Sequence, residues 1–136
     1  MIERGEIRNI ERKQQINNFK NIRYGNITPT DIDGIIEYKD KGYVVFEIKY
    51  RDTELPRGQR LAIQRLVTDV GKANKKALAI IAEHNVDNAE QQVDVSVCDV
   101  REVFLSTERE WREPNHAMKM GECIYLFITK IVDIPL

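Results

Sequence analysis

The sequence has few cysteines, one tryptophan and almost no net charge. Its two cysteines, Cys98 and Cys123, lie far apart, and no Cys-x-x-Cys pair or Cys/His cluster occurs. A structural zinc site is therefore not expected, whereas buried free thiols are. The chain also lacks a glycine-rich phosphate loop and a nucleophilic Ser/His/Asp set. Its net charge of −1 differs from that of dedicated nonspecific nucleic-acid binders, which are usually markedly basic.

Long apolar runs are absent as well. No stretch is long and apolar enough to span a membrane, and the first residues do not form a signal-peptide pattern. The sequence therefore predicts an intracellular, cytoplasmic protein without a membrane partner. A chain of 136 residues without internal repeats or proline-rich linkers fits a single domain that spans residues 1–136.

A hairpin pattern is the most informative feature. Apolar and polar residues alternate along 32–38 and again along 43–50, as in strands that bury one face. Asp40-Lys41-Gly42 fits a three-residue loop in which the glycine takes the left-handed position. This loop pairs residue 33 with residue 49 and places their side chains on the same face.

Charged residues collect on that face of the predicted hairpin. Asp33 lies diagonal to Glu47 and opposite Lys49, and diagonal neighbours are roughly 7–8 Å apart at the backbone. Two carboxylates at this spacing can meet on one Mg²⁺, with the backbone carbonyl of Ile48 as a third ligand. Lys49 would orient the attacking water or stabilise charge in the transition state. Asp31, on the same face, is a candidate for a second metal ligand or for capping a turn.

These residues resemble the motif of the PD-(D/E)xK nuclease superfamily. That motif has an Asp on one strand and Asp/Glu-x-Lys on the next, matched here by Asp33, Glu47 and Lys49. RecB-like and VRR-NUC-like members also place a glutamine on the helix that follows the lysine strand. Gln59 and Gln64 both fit this position, and Gln59 is favoured because it stands at the start of the predicted helix.

The resemblance implies a fold, an activity and a setting. The fold is α/β, with a restriction-endonuclease-like core in which helices flank a central mixed β-sheet. The activity is hydrolysis of DNA phosphodiester bonds with Mg²⁺, for which Mn²⁺ can substitute. The setting is DNA replication, recombination or repair of a phage or mobile element. The partners are DNA, a second copy of the chain in a homodimer, and a helicase or replication protein.

Two points stay open. The proline is not directly before the acid, because the chain reads Pro29-Thr30-Asp31-Ile32-Asp33, so either Asp31 or Asp33 can be the primary ligand. Glu-x-Lys alone is a common pattern, and Asp33, Glu47 and Lys49 would also fit exposed cross-strand ion pairs. The alternative function is therefore a noncatalytic nucleic-acid-binding or assembly protein that keeps the nuclease fold.

The remaining segments predict an alternation of helices and strands. Residues 4–19 have the pattern of an amphipathic helix, a second helix follows Pro56, and the apolar run 77–82 predicts a central strand. Further strands are expected at 22–28, 93–105 and 122–132.

Other residues have weaker functional interpretations. The resemblance implies a glutamate from the first helix, either Glu6 or Glu11, although a surface role is the simpler interpretation. His84 follows the central strand, where a histidine without a ligand partner is more often inert. Trp111 is expected to pack over the core edge rather than to stack on a base. Basic residues suited to phosphate contacts are in excess between positions 49 and 76: Lys49, Arg51, Arg57, Arg60, Arg65, Lys72, Lys75 and Lys76.

Overall fold

The computed structural model of the protein describes residues 3–13 and 15–131. The chain divides into two compact units, Met1–Asp31 and Ile32–Leu136. The expectation of a single domain over residues 1–136 stays a prediction.

The smaller unit contains little regular structure among its described residues. It has one helical turn, α1 (Ile10–Lys13), and an isolated antiparallel bridge between Tyr24 and Ile27. The helix expected at 4–19 and the strand expected at 22–28 are therefore wrong in extent. Ile7, which belongs to the expected apolar face, is exposed, and so is Ile16. A helix that buries no apolar face is marginal in water, so periodicity alone does not maintain it.

The larger unit is built on a five-stranded sheet. Its strands are β1 (Gly34–Tyr38), β2 (Gly42–Tyr50), β3 (Lys76–His84), β4 (Asp99–Leu105) and β5 (Trp111–Arg112), and they lie side by side in chain order. The β2–β3 pair is parallel and the other pairs are antiparallel. Helix α2 (Arg57–Lys72) connects β2 to β3, and α3 (Met120–Leu126) follows β5. The predicted α/β class with a mixed sheet and flanking helices is confirmed. No described helix is both long and apolar enough to cross a bilayer.

A hydrophobic cluster covers each face of the sheet, and β3 is therefore buried on both sides. Every residue from Ala77 to Ala82 is at most 2% exposed, which confirms the predicted central strand. Alternate side chains of β3 pack with Ile63 and Val67 of α2 on one face. The others pack with Met120 and Cys123 of α3 on the opposite face. Both cysteines are free and buried, as expected.

The hairpin forms where predicted, but its register differs by two residues. Tyr38 pairs with Gly42, so the loop is Lys39–Lys41 and Gly42 belongs to β2. Lys39 and Asp40 take the left-handed conformation that was expected of the glycine, with φ values of 47° and 62°. A shift of two residues preserves which side chains share a face. The predicted face of the hairpin is therefore retained, while the pairing across it changes.

The end of the chain is helical rather than extended. Residues 122–131 of the strand expected at 122–132 form most of α3 and a π-helical turn, Phe127–Ile131, and residue 132 lies outside the described residues. Met120, Cys123 and Phe127 are buried against the sheet, and their spacing is helical. Residues 93–105 do include a strand, β4, but a 3₁₀ turn, Val95–Val97, precedes it.

Candidate active site

The two predicted carboxylate ligands meet just before β1 begins. In the hairpin register, Asp33 stands opposite Glu47, one step beyond the Gly34–Phe46 pair. The Asp33 N–H donates to Glu47 Oε1 at 3.1 Å, and the Ile48 N–H donates to Asp33 Oδ2 at 2.7 Å. The predicted diagonal relation is therefore replaced by a closer, direct one, and a main-chain donor holds each side chain.

Glu47 is a buried acid. Its residue is 2% exposed, whereas Asp33 is exposed. It shares its sheet face with Val45 and is in register with Ile81, both of which are buried. Desolvation is the main reason that the pKa of Glu47 rises from 4.5 to about 7, and the charge of Asp33 is the next. A buried acid beside a second acid requires a proton or a cation. Glu47 therefore does not belong to an exposed ion-paired surface.

Lys49 lies one pleat beyond Glu47 on the same face. Its register partner on β3 is Glu83, whose carboxylate is 3.6 Å from Arg101 Nε. Arg101 therefore offsets the charge of Glu83. Lys49 makes no ion pair with any described residue, and its charge lowers the pKa of Glu47. The ammonium thus acts on the carboxyl pair and is available to a ligand.

The favoured glutamine lies on the face of α2 that covers the sheet. Gln59 is one turn before Ile63 and two turns before Val67, which are the buried residues of this helix. Gln64 has another contact, because its Oε1 accepts the Nε1–H of Trp111 at 3.1 Å. The part of either glutamine in the site stays a prediction.

The donor set suits Mg²⁺ better than zinc. The described part of the chain has no group of three or more His, Cys, Asp or Glu side chains that could hold a metal. In an extended strand the N–H and C=O of a residue point to the same side. The Ile48 carbonyl therefore points to the side on which its N–H meets Asp33. Two carboxylates and one carbonyl, completed by water and substrate oxygens, fit the requirements of Mg²⁺.

No protein-family model, curated protein or solved structure matches this chain. The resemblance to the PD-(D/E)xK superfamily stays a prediction that rests on the residues above.

The other predicted acids belong to the smaller unit, and the predicted histidine belongs to β3. Asp31, Glu6 and Glu11 belong to the smaller unit, and their part in the site stays a prediction. His84 is in register with Tyr50, on the face opposite Lys49, and its ring centroid is 5.4 Å from that of Tyr50. Its Nδ1 accepts the Val86 N–H at 3.1 Å. The structure therefore does not bring His84 to the carboxyl pair.

Trp111 packs over the core edge, as expected. Its ring centroid is 5.3 Å from that of Phe104, and the guanidinium of Arg60 lies over the ring at 4.8 Å. Arg60 also forms two hydrogen bonds with the Glu102 carboxylate, at 2.7 and 3.2 Å. These contacts attach the first turns of α2 to β4 and β5.

The predicted basic excess is partly neutralised. Four of its cations form ion pairs: Arg51 with Asp87, Arg60 with Glu102, Lys72 with Asp69, and Lys75 with Asp40. Sequence reasoning missed the partners Asp87, Glu102 and Asp40. These carboxylates come from other strands or loops, and no local signal in the sequence reveals which cation they meet.

Proposed function

We propose that the protein is a Mg²⁺-dependent deoxyribonuclease with a restriction-endonuclease-like core. The observation that carries the proposal is the buried Glu47 carboxyl, hydrogen-bonded to the exposed Asp33 and flanked by Lys49, which forms no ion pair with a described residue. A structural role for this arrangement is costly, because a buried charge that lacks full compensation destabilises the fold. A catalytic role uses both the acids and the lysine.

Each residue has a role that follows from its chemistry. Asp33, Glu47 and the Ile48 carbonyl would hold the metal. When bound, Mg²⁺ lowers the pKa of a water and neutralises charge on the phosphate. Lys49 orients the attacking water and stabilises negative charge on the phosphoryl oxygens. Gln59 donates its side-chain amide to a phosphate oxygen or to the water.

The proposed setting follows from the resemblance. We infer that the protein acts in the cytoplasm on DNA intermediates of replication, recombination or repair, in a phage or mobile element. It would act as a homodimer or beside a helicase or replication protein.

The test is DNA cleavage with metal controls. Labelled single-stranded, duplex and branched DNA are incubated with the protein in Mg²⁺, in Mn²⁺ and in EDTA. We expect cutting with either metal and none in EDTA. Glu47→Ala and Lys49→Ala should each lower the rate by about 10²–10³-fold or more.

Matched controls come from the same chain. Glu90→Ala removes an exposed glutamate in a turn, and Lys41→Ala removes an exposed lysine in the hairpin loop, at the end of β2 away from Lys49. Both controls should cut like the wild type. A wild-type protein that binds DNA but cuts nothing with either metal would support the alternative, a noncatalytic nucleic-acid-binding or assembly protein.

A further inference from the structure

A second polar cluster lies at the ends of β2 and β3. Tyr50 is 42% exposed, its ring is tilted by 58° to that of His84, and the Arg51 guanidinium lies 5.2 Å from the Tyr50 ring centroid. The Tyr50 side chain projects from the face opposite Lys49. This cluster is therefore adjacent to the candidate active site along the chain but separate from it.

One carboxylate oxygen receives both donors of this cluster. Asp87 Oδ1 accepts the Tyr50 hydroxyl at 2.6 Å and also a hydrogen bond from Arg51 Nη2. The Tyr50 hydroxyl, and then Arg51, lower the pKa of Asp87. Arginine and tyrosine are also among the side chains that bind phosphate oxygens of nucleic acids. The two donors thus have the chemistry of an anion site, and a carboxylate of the chain itself fills it.

The two sides of this contact are built differently. On the donor side, Arg51 has a φ of 49°, its N–H donates to the His84 carbonyl at 2.9 Å, and Thr53 Oγ1 donates to the Tyr50 carbonyl at 2.7 Å. A left-handed backbone at a residue other than glycine costs free energy, and such residues cluster at functional sites. Asp87, by contrast, is 68% exposed and lies in a loop without regular structure. The backbone that carries the two donors is therefore held by hydrogen bonds, whereas the acceptor lies in an irregular loop and is the more exchangeable part.

We propose that Tyr50 and Arg51 form a binding site for a backbone phosphate of a nucleic-acid strand, and that Asp87 occupies this site while no strand is bound. The choice of nucleic acid as the ligand rests on the proposed function. Tyr50 and Lys49 are neighbours at the end of β2, so the proposed phosphate site and the candidate active site lie at the same end of this strand, on opposite faces of the sheet. Binding exchanges one anion for another and involves no covalent step.

The test measures binding without cleavage. Affinity for a labelled single-stranded oligonucleotide is followed by fluorescence anisotropy in EDTA. Asp87→Asn should raise the affinity by about two- to fivefold, the range set by loss of one exposed ion pair. Arg51→Gln should lower the affinity and reduce the salt dependence by about one phosphate contact. In the Arg51→Gln background, Asp87→Asn should no longer raise the affinity.

Asp52→Asn is the matched control, because Asp52 is an exposed neighbour with no hydrogen bond to Tyr50 or Arg51. It removes the same charge from the same surface and should change the affinity less than Asp87→Asn does. Circular dichroism checks that every variant is folded. Equal gains from the two substitutions, or a gain from Asp87→Asn that persists without Arg51, would overturn the proposal.

Two further arms separate the possible outcomes. In the first, inorganic phosphate and an unlabelled strand each compete with the labelled oligonucleotide. If phosphate competes as effectively as the strand, and only in protein that has Arg51, the ligand is a small anion and the proposal fails. If the wild type cuts DNA but all these variants bind equally, the phosphate site fails and the nuclease proposal stands. If the affinities change as expected in a protein that cuts nothing, the phosphate site stands and the nuclease proposal fails.

Discussion

Replacing Glu47 with glutamine should stabilise the protein at alkaline pH and have little effect at acid pH. The folded protein holds the Glu47 proton more tightly than the unfolded chain, because burial raises the pKa from 4.5 to about 7. The free energy of unfolding therefore falls as the pH rises from 4.5 to about 7 and is constant above that range. Each pH unit is worth about 1.4 kcal/mol for one proton, so the total loss is about 3 kcal/mol.

Glutamine avoids this loss for a specific reason. It cannot ionise, and its Oε1 can still accept the Asp33 N–H that Glu47 accepts at 3.1 Å. Its amide can donate to the Asp33 carboxylate, as the protonated acid does. The variant therefore imitates the protonated form of Glu47 at every pH.

The assay is urea unfolding in EDTA between about pH 5 and about pH 8. The stability difference between Glu47→Gln and the wild type should grow from less than about 1 to about 3 kcal/mol across this range. Glu90→Gln, an exposed control, should follow the wild type at each pH. Mg²⁺ added at the alkaline end should stabilise the wild type more than the variant, since a ligand of the folded state raises its stability.

A difference that does not change with pH would refute this reasoning. It would mean that Glu47 is ionised to the same extent in the folded and unfolded states. The buried acid pair would then not exist, and the main support for the proposed metal site would be lost.

Three other substitutions and one labelling experiment have expected outcomes. Lys49→Met should raise the pKa of Glu47 further, because the ammonium of the wild type lowers it. An NMR titration of the glutamate carboxyl carbons measures this pKa, and a pKa that falls or stays the same would contradict the prediction. Gly34→Ala should cost about 1–3 kcal/mol, because its Cβ would overlap the aromatic ring on the facing strand. Gly58→Ala, in open space within α2, should instead stabilise by about 0.5–1 kcal/mol, and thermal unfolding compares the two. Burial raises the pKa of the Cys123 thiol to about 11, so it should react with thiol reagents only after unfolding; rapid labelling of the folded protein would contradict its burial.

The sequence was sufficient where the decisive pattern is local. Strand alternation with period two assigns Glu47 and Lys49 to one face, and Asp33 shares that face in any register that differs by an even number of residues. Three residues in the hairpin loop keep that parity, and this is why the face survived an error of two residues in the pairing. The burial of Glu47 was not predictable from the hairpin, because it also depends on packing against β3 and α2.

The errors occur where tertiary packing decides. Residues 122–132 are rich in the aromatic and β-branched residues typical of strands, yet the described part is helical because Met120, Cys123 and Phe127 fill the second face of the sheet. The pairing of Arg101 with Glu83 depends on the β3–β4 register, which shifts between Ile81 and Ala82. A bulge of this kind has no dependable signal in a single sequence.

The carboxyl pair, the lysine and the glutamine come from one unbroken stretch between Asp33 and Gln59. Contacts between residues close in sequence need little loop closure, so this part of the molecule can organise early in folding. During synthesis this stretch leaves the ribosome before β4 and α3 are made. Its hydrophobic core also requires the side chains of β3. Mutations in the last third of the chain should therefore change the lifetime of the folded protein more than the arrangement of its carboxylates. That separation would allow the late segments to diverge while the chemistry of the hairpin is kept.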